Sequence, residues 1–211
     1  MKQFTGDLAF LSIEKLAKLE CYTFPVNGTF DMVEAFYLRV DKLVNLRHLS
    51  IGDFGSLTPN KYGPFLLSTI SFLSKLESLD CSNCCLKDLS PILCLTKLKY
   101  LSCNGNDLTS LPADIGLLQE LEQLFCGSNY LDSLPDSIGN LSNLKAFYCE
   151  DNKISSFPFS LSNLSPNLKI WYSNNPLLSE IPRDDWKKLC SFLKEKKSKT
   201  TLSKQHVKNA K

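Results

Sequence analysis

The sequence predicts an α/β solenoid, in which short parallel strands alternate with return segments in a single stack. Three observations predict it. Asn106, Asn129, Asn152 and Asn175 stand 23 residues apart. Leu108, Leu131, Ile154 and Leu177 keep that step, as do Leu101, Leu124, Phe147 and Ile170. Cys103, Cys126 and Cys149 add a further column. Apolar columns recurring at one interval mark units too small to bury their own core, so they must stack to exclude water.

With 211 residues and 43% apolar content, the chain can build one continuous core, and one domain is expected. The formal charge of +2 is unevenly spread. Residues 183–211 hold ten Lys/Arg against Asp184, Asp185 and Glu195, a local +7, which leaves 14 basic and 19 acidic residues elsewhere, or −5. A solvated basic tail is the plain reading. Association with acidic partners, nucleic acid or an anionic membrane by charge is the alternative. Nine cysteines is an odd count, so at least one thiol stays free or pairs between chains. Cys81, Cys103, Cys126 and Cys149 fall at inward strand positions, where a thiol fills space as a small apolar group. With no paired cysteines flanking the array, a reducing, cytoplasmic compartment is expected. Leu8 to Leu11, between Asp7 and Glu14, makes a poor signal peptide, and no run approaches the ~20 apolar residues of a membrane span.

Residues 98–108 read L-K-Y-L-S-C-N-G-N-D-L, which fits L-x-x-L-x-L-x-x-N-x-L with Cys103 in the third leucine's place. The frame fits again from Leu121, from Leu144 and from Leu76, where Cys84 replaces the asparagine. Leu46 to Phe54 is a degenerate first copy, and in the last copy Leu168 sits one place late. The return sides carry Leu111-Pro112, Leu134-Pro135, Phe157-Pro158 and Ile181-Pro182, with Ile115-Gly116 and Ile138-Gly139 following the first two. Proline fixes an extended turn, and the following Ile and Leu pack an irregular or short helical segment under the sheet. Inside the bend after each strand, an asparagine amide can satisfy backbone groups that would otherwise be buried unpaired.

These L-x-x-L-x-C-x-x-N-x-L and L-P-x-x-I-G-x-L units resemble the leucine-rich repeat family, in its intracellular and plant-type class. The resemblance covers about residues 43–182 and implies a horseshoe with short parallel concave strands and helical N- and C-terminal caps. The expected organisation is a helical N-terminal cap over 1–42 and about five to six repeats over 43–182. A C-terminal capping helix over 183–197 and a basic, disordered tail over 198–211 complete it. In the cap, Leu8, Leu11, Ile13, Leu16 and Leu19 predict a helix over 7–20, followed by a strand near Tyr22 to Phe24 and a helix over Met32 to Val40. Ile51 to Cys81 is a long interval of 30 residues, which predicts a loop insertion near 58–72, either inert or partner-contacting. Trp186, Leu189, Cys190 and Leu193 share one face of the C-terminal helix, opened by Asp184 and Asp185 and closed by Lys194, Lys196 and Lys197.

Function should reside on the variable strand positions. The column between the second and third conserved apolar positions runs Ser50, Asp80, Ser102, Phe125, Tyr148, Trp171, with Tyr100 two residues over on the preceding rung. Rings stacked only to steady adjacent strands are one reading. A binding patch for a partner protein is the other, because Tyr and Trp are enriched among interface anchors. Asp80, Glu122, Glu150 and Asp151 would flank the stripe, so the partner should carry basic and apolar surface. An adaptor, inhibitor or scaffold is the leading reading. An effector secreted by an intracellular bacterium or parasite, binding a host protein through the same wall, is an alternative biology.

Catalysis is not expected. His48 and His206 lie far apart, and no phosphate loop or paired catalytic carboxylates are present. Cys81-Ser82-Asn83-Cys84-Cys85 suggests a metal, but Cys81 and Cys84 have structural column roles. No metal or cofactor is expected. Some bacterial leucine-rich proteins resemble this chain and carry a separate ubiquitin-ligase domain; with 29 residues after Pro182, no such domain is expected here.

Overall fold

The structure is a computed structural model that describes residues 3–25, 28–53 and 63–176, together with 187, 189–191 and 193–195. Eight three-residue strands form one parallel sheet in strict chain order. They are β1 (Gln3–Thr5), β2 (Cys21–Thr23), β3 (His48–Ser50), β4 (Ser78–Asp80), β5 (Tyr100–Ser102), β6 (Gln123–Phe125), β7 (Ala146–Tyr148) and β8 (Lys169–Trp171). The register aligns Tyr22, Leu49, Leu79, Leu101, Leu124, Phe147 and Ile170. All of these point inward and are buried. The next inward column is Ile51, Cys81, Cys103, Cys126, Cys149 and Tyr172, also buried. The chain is an α/β solenoid of the leucine-rich repeat horseshoe type.

The thiols pack as small apolar groups. Cys81 and Cys103 each donate weakly to a carbonyl of the next strand, Ser102 and Phe125 respectively, at 3.2 Å. Burial pushes the thiols of Cys81, Cys103 and Cys126 well above their ordinary pKa, so they stay protonated and unreactive. All nine cysteines are free.

The asparagine column is a hydrogen-bonded ladder that ties each repeat to the one before. Asn129 Nδ2 donates to the carbonyls of Cys103 and Gly127 at 3.0 Å and of Cys126 at 3.2 Å, and its Oδ1 accepts from Leu108 N at 3.1 Å. Asn106, Asn152 and Asn175 repeat the arrangement. Where Cys84 replaces the asparagine, its thiol reaches the equivalent carbonyl, Ile51 O, at 3.1 Å.

The residue before each ladder position is left-handed. Asp53, Asn83, Gly105, Ser128, Asp151 and Asn174 all have φ between 52° and 66°. Asn and Asp tolerate this region through local side-chain bonds. Here those bonds also link rungs: Asn83 Nδ2 donates to Asp53 Oδ1 at 2.9 Å and Asn174 Nδ2 to Asp151 Oδ1 at 2.8 Å.

Return segments differ with the interval between strands. Steps of 22 and 23 residues close through 3₁₀ turns at Ser90–Cys94, Ile115–Leu117, Asp136–Asn140 and Phe159–Asn163. The longer steps close through α-helices α2 (Phe30–Arg39) and α3 (Gly63–Ile70), because a helix stores more residues per ångström of travel. Gly116 and Gly139 follow the isoleucine for a steric reason. A Cβ on either would lie 2.5 Å from Ser137 O or 2.3 Å from Ser160 O, the backbone of the next return.

Three expectations need correction. The helix expected over 7–20 is instead a 3₁₀ turn, Leu8–Phe10, and a one-turn helix α1, Ile13–Leu16. Asp7 and Ser12 each cap a separate turn, and Ile13, assigned to the apolar face, is 64% exposed. The strand expected near Tyr22 to Phe24 is present as β2, but β1 extends the sheet one rung further into a cap otherwise expected to be helical. Finally, residues 63–70 of the expected loop insertion are helical. Residues 58–62 of that insertion lie outside the described residues, as do Leu177, Ile181-Pro182, Asp184 to Trp186, Lys196, Lys197 and the tail. Between 187 and 195 the described residues are helical, with Leu189 and Leu193 buried and Cys190 packed against the core.

Candidate functional site

Parallel in-register pairing turns one sequence column into one row across the sheet. Ser50, Asp80, Ser102, Phe125, Tyr148 and Trp171 pair in succession, as the repeat spacing predicts. Strand alternation puts these side chains opposite the buried middle column, and the three rings are partly exposed.

The rings form a continuous stack. Tyr148 and Trp171 lie 4.0 Å apart at 5°, and Phe125 and Tyr148 lie 4.4 Å apart at 11°. Tyr100, paired with Gln123 in the sheet, tilts its ring against Phe125 at 5.3 Å and 41°. The inner faces are consumed by their neighbours, so the stack turns ring edges outward. Burial raises the Tyr100 phenol above its ordinary pKa; a hydrogen bond with Ser102 lowers it and the charge of Asp80 raises it further.

The N-terminal half of the row is polar and internally bonded. Asp80 Oδ1 accepts from Ser82 N at 3.1 Å and from Ser82 Oγ at 2.7 Å, while Ser50 Oγ reaches Asp80 Oδ2 at 3.4 Å. Ser82 Oγ also lies 2.8 Å from Ser102 Oγ. Glu150 flanks the rings, its carboxylate lying over Gly127, where a Cβ would come within 3.2 Å of it. Asp151 is exposed on the left-handed turn at the strands' trailing edge. Glu122 is on the opposite, leading edge, 2.7 Å from Lys145.

That leading edge carries a feature the sequence reading missed. Glu20, Arg47, Glu77, Lys99, Glu122 and Lys145 occupy one register position on successive rungs, each amide donating to the preceding residue's carbonyl at 2.8 Å. Their charges alternate in sign. Glu77 pairs with Arg47 and, at 2.9 Å, with Lys99. The Lys99 and Arg47 hydrogen bonds hold the Glu77 carboxyl below its ordinary range. The alternation of sign at one repeat position is this row's signature in the sequence.

Among the described residues no group of three potential metal ligands converges. None of the described helices is long and apolar enough to cross a membrane.

The fold has known counterparts. Internalin C2 from Listeria monocytogenes superposes with a TM-score of 0.59 at 20% identity, covering 84% of this chain and 74% of that one. A leucine-rich repeat protein of Leptospira interrogans gives 0.53 at 22% identity over 82% of this chain; the present chain spans 48% of its length. No curated protein sequence matches. The model of a leucine-rich repeat region matches residues 63–171, more than half of the chain. The chain belongs to the leucine-rich repeat family.

Proposed function

We propose that the chain is a protein-interaction module that docks a partner on the aromatic half of its concave sheet, without chemistry of its own. Leucine-rich repeat proteins are in general binding scaffolds, and solenoids of this kind offer extended concave surfaces. The observation that carries the specific site is the stack of Tyr100, Phe125, Tyr148 and Trp171, partly exposed on a wall with no core to fill.

Its mechanism is rigid presentation. Rings already stacked at 4.0 and 4.4 Å have little rotamer freedom left to lose, so docking costs less ordering entropy. Because the faces are occupied, a partner meets ring edges, which suit aliphatic groups and backbone carbonyls. Asp80 and Glu150 beside the stack favour a partner with nearby Lys or Arg.

The test is quantitative capture of the same proteins by wild-type, Trp171→Ala and Tyr148→Ala chains, beside their melting curves. Each variant should lose more than ~1 kcal/mol of affinity, roughly fivefold, while melting within a few degrees of wild type. Unchanged capture, or a lost cooperative transition, would make the stack a device for holding strands together.

A further inference from the structure

The leading edge of the first rungs holds an open cleft of about 420 Å³, lined by Lys18, Glu20, Asn45, Arg47, Lys75 and Lys97. Four cations face one carboxylate; with Arg47 paired to Glu77, the three lysines against Glu20 leave a net +2 on a body whose sequence outside 183–211 carries −5. The alternating row explains why the cleft charge is uncompensated. Glu77 is already bonded to Arg47 and Lys99. Two residues earlier on each rung, the column runs Lys18, Asn45, Lys75, Lys97, with no acidic residue until Glu120. Among the described residues Lys18, Lys75 and Lys97 form no ion pair, and all three are exposed.

The cleft is braced. Asn45 Nδ2 donates to Ala17 O at 2.8 Å, and Lys75 Nζ donates to Asn45 Oδ1, so one rung positions the ammonium of the next. From β2 to β5 the stripe spans three steps, or ~14 Å at the usual strand spacing.

We propose that this cleft binds a short acidic peptide segment of a partner protein, its carboxylates meeting Lys18, Lys75 and Lys97. A ~14 Å line of cations matches about four extended residues and is too long for a single phosphate. A nucleic-acid backbone would run past the stripe onto Glu120 and the acidic body, where repulsion opposes it. The site is separate from the aromatic wall and does not depend on that wall binding anything.

The probe is fluorescent hexaglutamate, titrated into the full-length chain at low salt and then cross-linked by carbodiimide to map its lysine partners. Cross-links should fall on Lys75 and Lys97. Lys75→Glu/Lys97→Glu should weaken binding by at least about tenfold, and Lys75→Gln/Lys97→Gln by less, with melting curves unchanged because both side chains are exposed. Added salt should weaken the wild-type complex steeply. Trp171→Ala should bind the peptide like wild type, so failure of the aromatic wall and failure of the cleft are told apart. Cross-links confined to residues 183–211, binding indifferent to the charge reversals, or tighter binding of hexathymidylate than of hexaglutamate would each overturn the assignment.

Discussion

The two halves of the concave row share a backbone and differ in nearly everything else. From Ser50 to Ser102 the side chains are hydroxyls and a carboxylate bonded to one another, so their polar capacity is largely spent inside the protein. From Phe125 to Trp171 they are rings that, among the described residues, contact one another by stacking, with their edges left available. Because the strand register is the same throughout, the scaffold cannot account for the contrast. Binding capacity on a solenoid is thus set rung by rung, and adjacent rungs can carry unrelated surfaces at little cost to the core.

The largest expected effect comes from cutting the joint between the halves. Asn129 links the Ser102 rung to the Phe125 rung through the carbonyls of Cys103 and Cys126 and the amide of Leu108. Asn129→Ala leaves those buried groups unmet and should cost roughly 3 kcal/mol or more in urea unfolding. Both halves should suffer together. A loss below ~1 kcal/mol would mean the halves are not coupled through the ladder.

A smaller effect separates them. Asp80→Ala removes the acceptor of Ser82 N and Oγ in the polar half and should cost about 1–2 kcal/mol of stability. Partner capture should fall less than for Trp171→Ala, because Asp80 contributes at the rim and the rings at the centre. The opposite order in a side-by-side capture assay would move the binding site to the polar half.

The same contrast shows what was legible beforehand. The strand columns, the inward cysteines and the asparagine ladder recur at one interval, and parallel pairing preserves a linear spacing as a spatial row. The row Phe125, Tyr148, Trp171 was readable for that reason. The rung β2 was readable only as an isolated strand near Tyr22, and β1 not at all, because Phe4 and Tyr22 keep the inward position without the surrounding leucine frame or an asparagine. The helix expected over 7–20 failed because Leu8, Leu16 and Leu19 are buried by turns capped at Asp7 and Ser12, which a search for helical periodicity joins into one stripe. The left-handed column has no apolar signature: Asp, Asn and Gly tolerate that backbone, and Ser128 adopts it without such a preference, so no single residue type marks the column. Glu122 is expected from the sequence to flank the rings. Its register places it in the alternating row, 2.7 Å from Lys145.

The smallest effect probes that alternating row, which borders both halves alike. Glu77 is bonded by Lys99 and Arg47, and its folded pKa is lowered from the ordinary 4.5. A carboxyl with a depressed native pKa contributes stability that is fully present above its unfolded pKa. That contribution is lost as pH falls through the native value. Stability measured from pH 7 downward should therefore be level until about the ordinary carboxylate range and then fall, with part of the fall absent in Glu77→Gln. At neutral pH that variant should lose no more than about 1 kcal/mol, since the partner side chains are about half exposed and salt screens the contacts. The loss should shrink further in added salt, unlike that of Asn129→Ala, whose bonds are buried and neutral. A salt-independent loss would mean that Glu77 acts through packing, and the row would then hold the rungs by shape instead of charge.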